Sequence, residues 1–213
     1  MTEPSSTLEQ LRQARLVPVV RTKSARNAAT AVQWLRDCGI RVFEITLTIP
    51  GAVALIRDLA GDPGLLIGAG TVPDARAAVA CLAAGAKFIV APWVEPALAQ
   101  PCRDAEALLI LGALTPTEVR ASTAAGAGAV KIFPAASVGG PAHIKALRSV
   151  FPETPLCPTG GIEPAQVGAY LAAGADFVGL GGALVDPKRI EAGDRAAIEA
   201  AARAALASAA SGL

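Results

Sequence analysis

Short apolar runs rich in Val, Ile and Leu recur along the chain, separated by segments with apolar residues at helical spacing. The runs are LVPVVRT (16–22), RVFEITLT (41–48), LLIGAGTV (65–72), KFIVAPW (87–93), ALLILGAL (107–114), AVKIFPA (129–135), PLCPTGG (155–161) and FVGLGGAL (177–184). A run that is apolar on both faces is typical of a parallel strand covered on both sides by helices. The pattern predicts eight parallel strands, each joined to the next by a helix in a right-handed crossover.

The helical segments end alike. The joints AAGAKF (83–88), AAGAGA (124–129) and AAGADF (172–177) each place a glycine just before a strand. A glycine there can adopt the left-handed conformation that closes the last helical turn. At the opposite ends, Asp74 and Thr117 are natural N-caps, whereas Glu163 near a third helix start is not.

Eight strand–helix units in about 200 residues are typical of a compact (β/α)8 TIM barrel. The alternative is an open doubly wound sheet, which usually carries GxGxxG after its first strand; LVPVVRTKSARN contains no glycine. We therefore predict an α/β protein with a single (β/α)8 barrel domain over residues 1–213. Residues 1–15 would form an extra N-terminal helix, 16–186 the barrel core, and 187–213 a C-terminal helix.

Composition excludes several classes of function. The net charge is +1, from 19 Lys and Arg against 18 Asp and Glu, without a basic patch, so we expect no nucleic-acid partner. No apolar run reaches the roughly 18 residues of a spanning helix, so we expect no membrane partner. The first fifteen residues lack the apolar core of a secretory signal, and the four cysteines form no CxxC. These features favour a cytoplasmic protein with reduced cysteines.

Lys131 differs from the other four lysines because it lies inside an apolar strand. It is embedded in AGAVKIFPAA, and the nearest charged residues are Arg120 and Lys145. Burial disfavours a charged ammonium, and a neutral amine is the form that attacks a carbonyl to make a Schiff base. The alternative is a structural lysine paired with a carboxylate.

Glu44 is the matching anomaly in the second run. Alternation along a strand places Glu44 on one face with Val42 and Thr46, and Lys131 on one face with Ala129 and Phe133. If both faces point into the barrel, acid and amine share one cavity, where the carboxylate can move protons for imine chemistry. The alternative is a buried ion pair without chemical function, which is a poor stabiliser for its desolvation cost.

Glycine-rich segments end the last two runs, PTGGI (158–162) and GLGGAL (179–184). TIM barrels often bind phosphate at this position through backbone N–H groups. Thr71 places a hydroxyl at the mouth of the third run, and Arg21 ends the first run as a partner for a substrate carboxylate. No cluster of His, Asp and Glu has metal-ligand spacing, so we expect neither a metal nor another cofactor.

These motifs resemble the 2-keto-3-deoxy-6-phosphogluconate aldolases, a family that includes 4-hydroxy-2-oxoglutarate aldolases. The matching segments are VFEITL around Glu44, IGAGTV ending near Thr71, AP at Ala91 and Pro92, VKIFPA around Lys131, PTGGI, and GLGG before Ala183. They extend through nearly the whole predicted barrel.

The resemblance implies a class I aldolase that releases pyruvate and glyceraldehyde 3-phosphate and is usually a homotrimer. By the same resemblance, Lys131 forms the imine, Glu44 is the general acid and base, and Thr71 helps to hold the pyruvate carboxylate. The remaining implied site residues are Pro92, Phe133 and Thr159 in the pocket wall, and Gly160, Gly161 and Gly182 as N–H donors to phosphate.

The chain departs from the family pattern at two positions. Many members carry Arg four residues after the glutamate, and a galactonate-type branch tends to carry Asn, but this chain has Thr48. The turn after GLGG often holds Ser, but here it holds Ala183. We therefore expect Arg21 to hold the pyruvate carboxylate, and a weaker dependence on substrate phosphate.

Substrates of related chemistry remain open: 4-hydroxy-2-oxoglutarate and 2-keto-3-deoxy-6-phosphogalactonate. Two hypotheses of other classes also remain, a phosphosugar isomerase and a non-catalytic phosphosugar-binding barrel. Borohydride trapping with pyruvate separates them from the aldolase, because only an aldolase of this class forms a reducible imine.

Overall fold

The computed structural model describes residues 4–211, and its centre is a ring of eight parallel strands. The strands are β1 (Leu16–Val20), β2 (Val42–Thr46), β3 (Leu66–Gly70), β4 (Phe88–Val90), β5 (Leu108–Ala113), β6 (Ala129–Ile132), β7 (Leu156–Pro158) and β8 (Val178–Leu180). Each strand lies within one of the eight apolar runs. Consecutive strands from β1 to β7 pair in order, and β8 pairs with β1. A bridge from Thr159 to Gly179 joins the end of β7 to β8, so the (β/α)8 prediction is confirmed.

Ten α-helices surround the ring in the described part of the chain. They are α1 (Pro4–Ala14), α2 (Ala25–Asp37), α3 (Ala52–Ala60), α4 (Ala75–Ala83), α5 (Ala99–Asp104), α6 (Pro116–Ala124), α7 (Pro141–Val150), α8 (Val167–Ala172), α9 (Pro187–Glu191) and α10 (Arg195–Ser211). Short 3-10 turns cover Pro96–Leu98, Ala136–Val138 and Pro164–Gln166. Among these residues, no helix combines the length and apolarity that a membrane span requires.

Two helix ends differ from the sequence-based expectation. Helix α6 is capped by Thr115, whose side chain accepts from the N–H of Glu118, and Thr117 lies inside the helix. After residue 186 the chain forms two helices where we expected one. Gly193, at a φ of +72°, lies between α9 and α10, and Asp194 then accepts from the N–H of Ala197. Residues 1–3 of the predicted N-terminal helix, and residues 212 and 213 of the C-terminal one, lie outside the described part.

The lower half of the barrel interior is a closed apolar layer. Inward-pointing residues pack there, including Val17, Leu66 and Phe88 of the strands and Phe177 just before β8. Leu11 of α1 belongs to the same cluster, so the N-terminal helix covers the N-terminal end of the barrel. This end is therefore filled, and the pockets lined by the C-terminal ends of the strands lie at the opposite end.

A partly buried network of ion pairs ties helices α1 and α7 to the N-terminal end of the barrel. Arg148 of α7 contacts Asp176 at 2.7 Å, and Asp176 also accepts from Arg12 of α1 at 2.9 Å. The Arg148 guanidinium also donates to the carbonyls of Gly174 and Thr154. Such a network of several partners fixes these loops more firmly than an isolated surface pair.

All four cysteines are free thiols, as the sequence predicts. Burial raises the pKa of Cys81 to about 11 and that of Cys102 to about 12. Both are therefore protonated at neutral pH and act as packing residues.

Candidate active site

A cavity of about 590 Å³ opens at the C-terminal end of the strands. On its β1 to β6 side it is lined by five of the predicted residues: Arg21, Thr71, Pro92, Lys131 and Phe133. This is the end of a TIM barrel at which loops after each strand form active sites.

Lys131 and Glu44 meet inside the barrel. The Lys131 Nζ lies 3.2 Å from Glu44 Oε1 and 3.4 Å from Oε2, and both side chains are only 6% exposed. Their strands, β6 and β2, lie on opposite sides of the eight-stranded ring, so the contact crosses the interior. The ring of Phe133 lies 5.9 Å from the same Nζ. The sequence predicted that acid and amine would share one cavity, and the structure brings them into direct contact.

Glycines lie beside this pair on the neighbouring strands, and one of them provides space for the carboxylate. Glu44 is in register with Gly68 of β3, and Lys131 is in register with Gly112 of β5. A β-carbon at Gly70 would overlap the carboxylate of Glu44. Gly70 therefore makes room for the Glu44 carboxylate, whereas a β-carbon at Gly68 would meet the ring of Phe88 and one at Gly112 the backbone of Pro92.

The energetics of the pair favour a chemical function. A buried ion pair loses about as much free energy on desolvation as its attraction returns, so it adds little to stability. Lys131 lines the cavity, and Glu44 lies behind it in contact with the Nζ, so the amine is the member of the pair that a ligand in the cavity would meet. Transfer of one proton from Nζ to the carboxylate leaves a neutral amine beside a neutral acid, which is the combination needed for attack on a carbonyl.

Cys157 is the other nucleophile type near the pair, and its environment keeps it unreactive. It is in register with Lys131 on β7, and its Sγ lies 3.7 Å from Thr159 Oγ1. Burial raises the pKa of the Cys157 thiol to about 12, although the charge of Lys131 opposes the shift. Because the thiolate is the reactive form, Lys131 is the nucleophile that the cavity offers.

Arg21 and Thr71 form a donor pair on one wall. The Arg21 Nη2 donates to Thr71 Oγ1 at 3.4 Å, and Thr71 has a φ of +56°. A guanidinium beside a hydroxyl is suited to hold a carboxylate.

Thr48 does not line this cavity. Its hydroxyl lies 2.8 Å from that of Thr46, which in turn donates to the carbonyl of Val20 at 3.0 Å. Thr46 uses its single hydroxyl proton on Val20, so Thr48 donates to Thr46. The Thr48 side chain therefore braces the loop after β2. Arg21 supplies the guanidinium among the residues that line the cavity.

The opposite wall is formed by the glycine-rich ends of β7 and β8. Five further predicted residues line it: Thr159, Gly160, Gly161, Gly182 and Ala183. Gly160 and Gly161 have φ values of +96° and +72°, which only glycine adopts without strain. The N–H groups of Leu184 and Val185 both donate to the carbonyl of Gly181, so a helical turn starts there. The N–H groups of Gly182 and Ala183 precede it and have no backbone acceptor among residues 4–211, as is typical of an anion-binding turn.

Four cavity residues were not predicted: Val19, Ile162, Glu163 and Gly181. Ile162 and Gly181 lie inside the two predicted glycine-rich segments, 158–162 and 179–184, but were not predicted as site residues. Val19 faces inward two residues after Val17, which alternation alone could have indicated. Within the described residues, no group of three or more His, Cys, Asp or Glu side chains could hold a metal ion.

Comparison with known proteins identifies close relatives. The sequence profile of the family described as KDPG and KHG aldolase matches residues 8–201. A Pseudomonas aeruginosa 2-dehydro-3-deoxy-phosphogluconate aldolase is 35% identical over 197 residues, covering 92% of this chain and 89% of the relative. An Escherichia coli KHG/KDPG aldolase is 34% identical over 192 residues, covering 90% of each chain.

Comparison with solved structures leads to the same family. KDPG aldolase from Legionella pneumophila, with pyruvate captured at low pH as a covalent carbinolamine intermediate, superposes with a TM-score of 0.84. It is 31% identical, and the match covers 96% of this chain and 98% of that one. The resemblance stated from the motifs is therefore confirmed.

Proposed function

This chain belongs to the KDPG and KHG aldolase family, and on that basis we propose that it is a class I aldolase whose substrate is 2-keto-3-deoxy-6-phosphogluconate. The products are pyruvate and glyceraldehyde 3-phosphate. The observation that carries the proposal is the contact between Lys131 and Glu44 at the floor of the cavity. Neither an isomerase nor a binding barrel requires a lysine at that point.

Imine formation uses both members of the pair. Glu44 takes a proton from Lys131, and the neutral Nζ attacks the substrate C2 carbonyl to give a carbinolamine. Glu44 then returns a proton to the carbinolamine hydroxyl, which leaves as water. The protonated imine that remains can accept electrons from the adjacent carbon.

The protonated imine makes cleavage of the carbon–carbon bond possible, because it accepts the electrons of that bond. Removal of the proton from the C4 hydroxyl breaks the C3–C4 bond, releases the aldehyde, and leaves an enamine on Lys131. Protonation of the enamine at C3 and hydrolysis of the imine release pyruvate and restore the amine. We assign the proton transfers to Glu44 because its carboxylate contacts the Nζ and no other carboxylate contacts Lys131 in the described part of the chain.

The two ends of the substrate would bind at the two walls of the cavity. We assign the C1 carboxylate to Arg21 and Thr71, which form one donor pair. The distal phosphate would face the N–H groups of Gly160, Gly161 and Gly182. The carbon chain of the substrate, between its carboxylate and its phosphate, would lie against Pro92, Phe133 and Thr159. Thr48 supports the β2 loop, and Ala183 offers its N–H without a hydroxyl.

A second candidate substrate is 4-hydroxy-2-oxoglutarate, since the Escherichia coli relative is named a KHG/KDPG aldolase. The same steps apply, with glyoxylate as the released aldehyde. Both substrates are small 2-keto acids, and no step calls for a cofactor.

We also propose that the protein is a cytoplasmic homotrimer. Its support is the family resemblance, together with 53% hydrophobic against 17% charged residues. Val79, Trp93 and Val150 are large apolar residues that are at least 44% exposed on the single chain. Free cysteines suit a reducing compartment.

The test is reduction with borohydride in the presence of pyruvate, followed by an assay of aldol cleavage. An aldolase is irreversibly inactivated, whereas an isomerase or a binding barrel keeps its activity or ligand affinity. Inactivation that occurs equally without pyruvate would contradict the proposal.

A further inference from the structure

The charged groups of the cavity are unevenly distributed between its two ends. Arg21, Lys131 and Glu163 are the charged residues that line it. Lys131 is paired with Glu44, and Arg21 points to Thr71 at the end of β3. The wall formed by the ends of β7 and β8 therefore contains the carboxylate of Glu163 and no cationic side chain from the described lining.

Glu163 is held at this wall by a capping box with Gln166, in which the Glu163 side chain accepts from the N–H of Gln166. Its N–H donates to Gln166 Oε1 at 3.0 Å, and its carbonyl accepts from the N–H of Gln166 at 2.9 Å. The side chain is exposed and forms no ion pair with any residue between 4 and 211. Its negative charge is therefore not compensated by a neighbouring side chain.

A smaller recess of about 320 Å³ continues from this wall and shares Glu163, Gly182 and Ala183 with the main cavity. Arg189 in the recess could have supplied a cation, but it contacts Asp186 at 3.7 Å and Asp194 at 3.4 Å. The guanidinium of the recess is thus already shared between two carboxylates. The distal wall therefore carries the carboxylate of Glu163 and no unpaired cationic side chain among its described lining residues.

Such an environment acts in opposite directions on two kinds of substrate. A phosphate dianion gains the N–H groups of the glycine loops but is repelled by the carboxylate. A terminal hydroxyl is not repelled, and it can donate a charge-assisted hydrogen bond to the carboxylate.

We infer that Glu163 is a specificity-determining residue that lowers the preference for phosphorylated substrate, so that the enzyme also cleaves unphosphorylated 2-keto-3-deoxy sugar acids. The inference rests on the proposed aldolase function. It concerns which distal group is accepted and leaves the chemistry at Lys131 unchanged.

The experiment compares kcat/KM for 2-keto-3-deoxy-6-phosphogluconate with kcat/KM for 2-keto-3-deoxygluconate. Glu163→Gln should raise the ratio of phosphorylated to unphosphorylated substrate about tenfold, and Glu163→Lys should raise it further. Glu153→Gln is the matched control, because Glu153 is an exposed carboxylate in the turn after α7, at the other end of the barrel. It should leave the ratio at the parent value.

Salt separates an electrostatic effect from a steric one. Because exposed charges are screened, a higher salt concentration should raise the parent ratio and leave the Glu163→Gln ratio nearly constant. A ratio that is the same in parent, Glu163→Gln and Glu163→Lys overturns the inference.

Failure of the proposed function gives a different result. If the parent protein cleaves neither substrate and forms no reducible adduct with pyruvate, the aldolase proposal is wrong. A second case is that the parent forms the adduct and cleaves the phosphorylated substrate, while the Glu163 variants have the same ratio of kcat/KM for the two substrates as the parent. In that case only the specificity inference is wrong.

Discussion

At the residue scale, the central feature is a buried acid beside a buried amine. Sequence reasoning could predict both, because a single charge inside an apolar strand is visible without a structure and alternation gives its face. It could not predict that Thr48 is engaged with Thr46, because that contact depends on the path of the loop after β2. The lack of an ion pair at Glu163 in the described part of the chain could not be predicted from the sequence either, since it depends on which cationic side chains lie nearby in space.

Replacement of Glu44 by Gln tests the proton transfers. The amide keeps the size of the side chain but cannot accept and return a proton, so kcat should fall by roughly 10² to 10⁴. Exchange of the pyruvate methyl protons with solvent, followed by NMR, should slow to the same extent. Exchange at the parent rate would assign the base to another group. Circular dichroism checks that the variant is folded.

Arg21→Lys tests the carboxylate end of the cavity. An ammonium cannot form the two-pronged contact of a guanidinium, so KM for pyruvate in the condensation direction should rise about tenfold. Arg57→Lys, on the exposed face of α3, is the control and should leave KM unchanged. Unchanged KM in Arg21→Lys would show that the carboxylate is held elsewhere.

At the element scale, strands were the most predictable part and helix ends the least. Every strand lies within a predicted run, because burial on both faces leaves a continuous apolar signature. The cap of α6 was placed two residues late, since Thr115 and Thr117 are equally good caps and Pro116 favours the first helical position. The break between α9 and α10 was missed because an Ala-rich segment masks a single Gly193.

Gly70→Ala tests the coupling between β3 and the catalytic pair. The added methyl group would overlap the Glu44 carboxylate, so that carboxylate must move away from Lys131. We expect kcat to fall at least tenfold, toward the value of Glu44→Gln, with a much smaller change in KM. Gly64→Ala, where only the flexible Asp62 side chain is near, is the control. An active Gly70→Ala enzyme would mean that the pair tolerates a shift and that its geometry does not limit the rate.

At the scale of the whole molecule, the fold separates stability from chemistry. The N-terminal end is filled by an apolar layer under α1 and tied by the Arg148–Asp176 network, whereas the C-terminal end holds the polar groups. This division was predictable from the eight-unit pattern, because TIM barrels place function at one end. The interface between subunits could not be predicted, because the sequence pattern does not show which exposed apolar residues contact a second chain.

Sedimentation velocity tests the proposed trimer. At micromolar concentration we expect one species with three times the 21.4 kDa mass of the chain. Burial of apolar surface between subunits provides the driving force. A single species of monomer mass under these conditions contradicts the trimer but leaves the site assignments intact.

The most direct test of the account is the identity of the residue that borohydride fixes to pyruvate. After reduction and proteolysis, mass spectrometry should find the reduced pyruvyl group on the peptide that contains Lys131. Lys131→Ala should show no adduct and no cleavage activity while remaining folded, and Lys87→Ala, a change at an exposed lysine, should be labelled and active like the parent. An adduct on any other lysine, or a Lys131→Ala variant that still cleaves substrate, would contradict the account.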